Sequence, residues 1–238
     1  MINGEFTLDE LMDILNRTPK SYNCFKRIGI LNPGLKQIYK QSYDRFIYCY
    51  ENEKLNGKDK KDDKLIKGNA LEDLVSVMFE TTGEYFEIYR NIKNGVNEID
   101  LFVEFSQKGK TLANLFDKKY SNIMCECKNY NKAVGVTYIG KFYSLMQSTN
   151  HNVGIMFSYE GLTGKSWGAA TGLTKKLFLL KEKKEDKIYI LNFSKSDFED
   201  ILNGKSLFNI LDDKCKSLEL GIDDINKYIV KHPNEDKI

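Results

Sequence analysis

Residues 122–128 read Asn-Ile-Met-Cys-Glu-Cys-Lys, an apolar strand pattern interrupted by two charges set two residues apart. Side chains alternate across a strand, so Ile123, Cys125 and Cys127 share one face and Met124, Glu126 and Lys128 the other. The chain must therefore build a sheet in which a glutamate and a lysine, side by side, end among apolar neighbours and still find partners. Acid-x-lysine triplets recur at Asp117–Lys119, Glu182–Lys184, Glu185–Lys187 and Asp212–Lys214. Those lie in charge-dense stretches that read as solvated loops or helix ends, so only the copy at 126–128 demands a structural reason.

Its surroundings supply the frame. Leu71, Leu74, Val75, Met78 and Phe79 recur at helical spacing, and this predicts an amphipathic helix with Asn69 as cap and Gly83 as stop. At about 100° per residue Glu72 falls on the edge of the apolar stripe while Asp73 points away. Two alternating segments follow, 84–93 and 96–106, separated by the hairpin signal Asn94-Gly95. In the second, Ile99, Leu101, Val103 and Phe105 share a face, and Asp100, Phe102 and Glu104 the other. After a connection long enough for a helical turn comes the Glu126 strand. A helix with Ile139, Phe142, Leu145 and Met146 inward follows, then a buried strand at 152–158, a helix from about residue 164, and a strand at 186–193.

Helical patterns flank this block. One starts near Thr7, another covers about 32–57, and two punctuated by Gly204 follow Ser194. Residues 56–68 read as a charged linker. The expected architecture is α/β, in an α+β layered form: a mixed sheet flanked by helices. It divides into a helical extension (1–60), a core (61–195) and a second helical extension (196–238).

Composition excludes several alternatives. The 238 residues carry 36 basic and 34 acidic side chains for a net charge of +2, so any surface for a polyanion must be local. Two histidines and a single Cys-x-Cys do not make a zinc site. Five cysteines form no disulfide framework, and no apolar run approaches the roughly 20 residues that cross a bilayer. The expectation is a cytoplasmic protein with reduced thiols and no membrane association.

If the two acid-bearing strands are neighbours, Asp100, Glu126 and Lys128 converge on one face. Two carboxylates with waters suit Mg2+, which prefers octahedral oxygen ligands, with Mn2+ as the expected substitute. An ion and an ammonium placed together are what hydrolysis of a phosphodiester needs. The segments "GNALEDLVSVMFETTG", "NEIDLFVE", "CECKNY" and "GIMFSYEGLTGKS" resemble the PD-(D/E)XK nuclease superfamily, with its restriction-endonuclease-like fold, and within it the Mrr-like restriction endonucleases. The resemblance spans about residues 68–193. It implies catalysis by Asp100, Glu126 and Lys128, with Glu72 as the helical glutamate many members add, and metal ligation by Asp100, Glu126 and Glu72. Ile99 stands where the superfamily's eponymous proline would be, and Glu126 where many Mrr-like proteins have glutamine.

That resemblance implies a metal-dependent DNA endonuclease in restriction or in defence against phage and mobile elements. DNA is then the expected partner, with a homodimer or a defence-complex protein as further ones. Two other readings stay open: a structure-selective nuclease or junction resolvase of the same fold, and a non-catalytic subunit that binds nucleic acid or protein. Lys141 and Gln147 on the helix after the motif strand, Tyr130 and Lys132 just beyond it, and Lys165 in "EGLTGKSW" are candidate DNA contacts. That last segment lacks the spacing of a nucleotide-binding loop. For each of these side chains a solvated or packing role is the competing reading.

Overall fold

The computed structural model describes residues 29–56, 61–93, 98–111, 118–164 and 168–228. The helix expected from Thr7, the Asn94-Gly95 turn, Lys165 and Trp167 lie outside the described residues. Helix α1 (Pro33–Asn56) starts where Asn32 Oδ1 accepts the Leu35 N–H at 2.9 Å, with Pro33 leading the first turn. Helix α2 (Lys61–Glu80) runs alongside it and ends in a turn at Gly83, whose φ of 102° suits glycine. The chain then forms β1 (Phe86–Lys93), β2 (Glu98–Phe105), the short α3 (Gln107–Thr111), a 3-10 turn at Lys118–Ser121, and β3 (Asn122–Lys128). It continues as α4 (Val136–Ser148), β4 (Val153–Ser158), α5 (Ala170–Leu179), β5 (Tyr189–Phe193), α6 (Lys195–Leu202) and α7 (Leu207–Glu219).

The five strands form one mixed sheet in sequence order, antiparallel from β1 to β3 and parallel from β3 to β5. Helices cover both faces. Leu101, Val103, Ile123, Cys125, Ile155, Phe157, Leu191 and Phe193 meet α1, α2, α6 and α7 in the larger core. Met124, Met156 and Ile190 point the other way, onto α4 and the Ala170, Leu173 and Leu177 side of α5. Gly154 permits that approach: a Cβ there would lie 2.5 Å from Met146 Sδ and 2.7 Å from the Phe142 ring. The flanking helices share the core with the sheet, for Phe46 and Leu211 belong to the same cluster and Tyr39 donates to the Phe198 carbonyl at 3.2 Å.

Four expectations need correction. The charged run at 56–68 is not a linker throughout, because α2 already begins at Lys61 and passes through Gly68 and Asn69, so Asn69 is no cap. Lysine-rich sequence is a competent helix former and needs no apolar stripe where a helix extends. The helix expected from residue 164 starts at Ala170. Gly161 and Gly164 have positive φ, Val134 and Leu162 form an isolated bridge, and Thr163 takes the Ala170 and Thr171 amides, so residues 161–164 are not helical.

The third concerns Ile99, which packs in the smaller core, away from Leu101, Val103 and Phe105. The β1–β2 ladder passes from Arg90↔Leu101 to Ile92↔Ile99, skipping Asn91 and Asp100, and Asn91 has φ 52°. This local break lets the strand's faces exchange beside Asp100. The fourth is Asp73, expected to point away from the stripe; it is half-buried and, like Glu72, reaches Arg90.

Candidate active site

Asp100 lies outside two ladders at once. On one side the β1–β2 pairing skips it, and on the other the β2–β3 pairing, which runs from Glu104↔Asn122, ends at Leu101↔Cys125. With no backbone partner carrying the register further, the Asp100 carboxylate takes that place and accepts the Cys127 N–H at 2.7 Å. Beyond this point β3 is held by β4 alone, through Glu126↔Met156, Cys127↔Phe157 and Lys128↔Ser158. The strands thus part where the charged side chains emerge.

Lys128 joins the two acids. Its ammonium is 2.5 Å from Glu126 Oε1 and 3.5 Å from Asp100 Oδ2, and all three side chains are only 18% exposed. Burial alone would push the Lys128 ammonium down in pKa, but Glu126 and Asp100 outweigh it and hold it well above the usual lysine range. Glu126 moves up as well, because burial and the Asp100 charge together exceed the pull of Lys128. The cluster therefore keeps a permanent cation between two crowded carboxylates.

Glu72 approaches from α2. Its carboxyl is raised by burial and by the charge of Asp100, and Arg90 pulls it back down. Glu126 responds to Glu72 too, so the three acids form one electrostatic group. Arg90, on β1, lies 3.5 Å from Glu72 Oε2 and 2.8 Å from Asp73 Oδ1, while Arg45 of α1 holds the other Asp73 oxygen at 2.8 Å. Neither Arg90 nor Asp73 could be picked out from the sequence as belonging here. An arginine on an edge strand reads as solvated, and its partners are fixed only by how α2 lies across the sheet.

Among the described residues, no three His, Cys, Asp or Glu side chains stand around a common point so as to hold an ion as they lie. Each acid is instead turned to an internal donor: Asp100 to Cys127 and Lys128, Glu126 to Lys128, Glu72 to Arg90. The donor set still fits a hard cation. Three carboxylates from three elements, each beside another and incompletely compensated, favour Mg2+ or Mn2+ over a soft metal. The nearby Cys125 and Cys127 thiols are pushed up by burial.

The segment after β3 is anchored. Asn129 Nδ2 donates to the Lys67 carbonyl at 2.8 Å, and the Lys67 ammonium donates to Asn131 Oδ1 at 2.6 Å, so α2 grips both sides of Tyr130. Tyr130 is 38% exposed, 5.3 Å from the Tyr138 ring, and Lys128 and Glu126 act on its hydroxyl. Lys132 is exposed in the same segment. Lys141 lines an open groove along α4 with Gly140, Ser144, Leu145 and Ser148. Gln147 is not brought to the cluster. It occupies the last turn of α4, next to Met146, which packs on Gly154 at the start of β4, while Lys128 ends β3 beside Ser158 at the finish of β4.

The Mrr_cat family model, described as restriction endonuclease, matches residues 64–184, just over half of the 238 residues. The match contains Glu72, Asp100, Glu126 and Lys128. Comparison with curated proteins and with solved structures gave no match.

Proposed function

Because the chain belongs to the restriction endonuclease family described by Mrr_cat, a nuclease family, we propose that it is a Mg2+-dependent DNA endonuclease serving restriction or defence against phage and mobile elements. The observation that carries the reading is the meeting of Asp100, Glu126 and Lys128 at the point where β2 and β3 part, with Glu72 coupled to them from α2. Asp100, Glu126 and Glu72 would hold the ion. When bound, such an ion supplies Lewis-acid stabilisation of charge on the phosphate and lowers the pKa of a water.

The chain's own residues account for the rest. Lys128, whose ammonium Glu126 and Asp100 hold above the usual lysine range against its burial, suits the role of an electrostatic stabiliser and water-orienting donor. The Cys127 N–H fixes Asp100, so one ligand is positioned before substrate arrives. Tyr130 and Lys132, next to the catalytic strand, and Lys141 along α4 suit contact with a nucleic-acid backbone or an exposed base.

The direct test incubates purified protein with linear, supercoiled, methylated and branched DNA, with Mg2+, with Mn2+ and with chelator. Cleavage of at least one duplex that chelator abolishes is expected. Cleavage indifferent to chelator, or none with any metal and DNA, contradicts the reading.

A further inference from the structure

Arg90 and Asp73 form an arrangement that nuclease chemistry does not itself require. Four charges alternate in a row from the outer helix inward: Arg45, Asp73, Arg90, Glu72. The two contacts of Arg90 are unequal. Its Nη1 is 2.8 Å from Asp73, a full charge-assisted hydrogen bond, whereas its Nη2 is 3.5 Å from Glu72, an ion pair beyond good hydrogen-bonding length. Asp73 is the stronger holder, and Arg45 fixes Asp73 in turn. Glu72 also couples electrostatically to Asp100 and Glu126, so it is shared between the arginine and the acidic cluster.

We propose that Arg90 and a divalent cation compete for Glu72, and that Asp73, anchored by Arg45, holds Arg90 back far enough for the cation to win. The inference rests on the metal site proposed above and assigns Arg90 as a positioning residue that sets its affinity. A guanidinium beside one of three would-be ligands neutralises the very charge that attracts the ion, so it weakens binding until it is displaced. Its strong bond to Asp73 lets it give up Glu72 and still keep an acid partner. Adjacent acids at 72 and 73, about 100° apart on α2, can both reach Arg90 because its planar fork presents two separate edges.

The measurement is calorimetric titration of the full chain with Mn2+ and no DNA, with melting temperature recorded beside it. Arg90 is 36% exposed, so Arg90→Gln is expected to fold. Arg90→Gln should tighten Mn2+ binding by about tenfold, as loss of one neighbouring charge implies. Asp73→Asn frees Arg90 to close on Glu72 and should weaken binding severalfold. Through-space charge alone would move both variants in those directions, so a double-mutant cycle decides: in a Glu72→Gln background the gain from Arg90→Gln should shrink towards nothing. An equal gain in both backgrounds overturns the competition, as does Mn2+ binding by Arg90→Gln that is unchanged or weaker. Glu126→Ala separates the two readings. If parent binding is lost in Glu126→Ala yet unmoved by Arg90→Gln, the metal site stands and the competition falls; if the parent binds no Mn2+, both fall together.

Discussion

Strands β3 and β4 lie side by side, parallel and in register, yet carry opposite cargoes. β4, Val-Gly-Ile-Met-Phe-Ser, is buried at every position. β3 starts at the exposed Asn122, is buried through Ile123, Met124 and Cys125, and ends in Glu126, Cys127 and Lys128, each partly exposed. Glu126 pairs with Met156 and Lys128 with Ser158, so one level of the sheet holds a carboxylate on one strand and a thioether on the next. The difference lies in what flanks each strand. β4 has ladders on both sides from Gly154 through Phe157, whereas β3 loses β2 after Cys125. Charge is tolerated where pairing stops, because there the acids can take a backbone N–H and an ammonium in place of strand partners.

The contrast can be broken most violently at its charged end. Asp100→Ala or Glu126→Ala is expected to lower single-turnover cleavage by about a thousandfold or more and to abolish Mn2+ binding, with the fold retained by circular dichroism. Unchanged Mn2+ titrations in both variants would remove them as ligands. At the apolar end, Met156→Ala leaves a cavity in the smaller core. It should cost about 2–5 kcal/mol of stability in a denaturant titration while folded molecules still cleave. If it instead spared stability and impaired cleavage, the division of labour between the strands would be wrong.

A subtler effect concerns pH. Glu126 has its folded-state pKa raised, so its protonated form favours the fold. That stabilisation is complete below the usual glutamate range and is lost as pH rises through the folded value, leaving the ionised group a burden at neutrality. Glu126→Gln should therefore gain stability relative to the parent as pH rises from the usual carboxylate range to pH 7–8. A gain that grows on acidification would contradict this. The smallest effects are on DNA contact. Lys132→Ala should weaken binding modestly and reduce the salt slope by about one charge, while Gln147→Ala, at the far end of α4, should change neither affinity nor cleavage.

Much of this arrangement was legible in the residues. Alternation placed β1 and β2, a continuous apolar run placed β4, helical spacing placed the helix of Glu72, and the acid-x-lysine step inside an apolar strand pointed to Glu126 and Lys128. What escaped depends on events between elements. The break opposite Asn91, which moves Ile99 to the other core, follows from a left-handed residue that no strand propensity announces. The Asp73–Arg90–Arg45 row follows from the seating of α2 against β1 and α1, which single-helix periodicity cannot encode. The helix expected from about residue 164 starts only at Ala170, and the positive φ of Gly161 and Gly164 marks the turn before it.

On the proposed mechanism Lys128 acts on the reaction and does not merely balance Glu126. Single-turnover cleavage of duplex DNA by Lys128→Met, measured in Mg2+ beside DNA affinity and melting temperature, tests it most directly. A positioned cation acts chiefly in the transition state, so cleavage should fall by orders of magnitude while affinity and melting temperature stay near those of the parent. Near-parental cleavage would contradict the claim and return Glu126 and Lys128 to the role of a partly buried ion pair at the end of a strand.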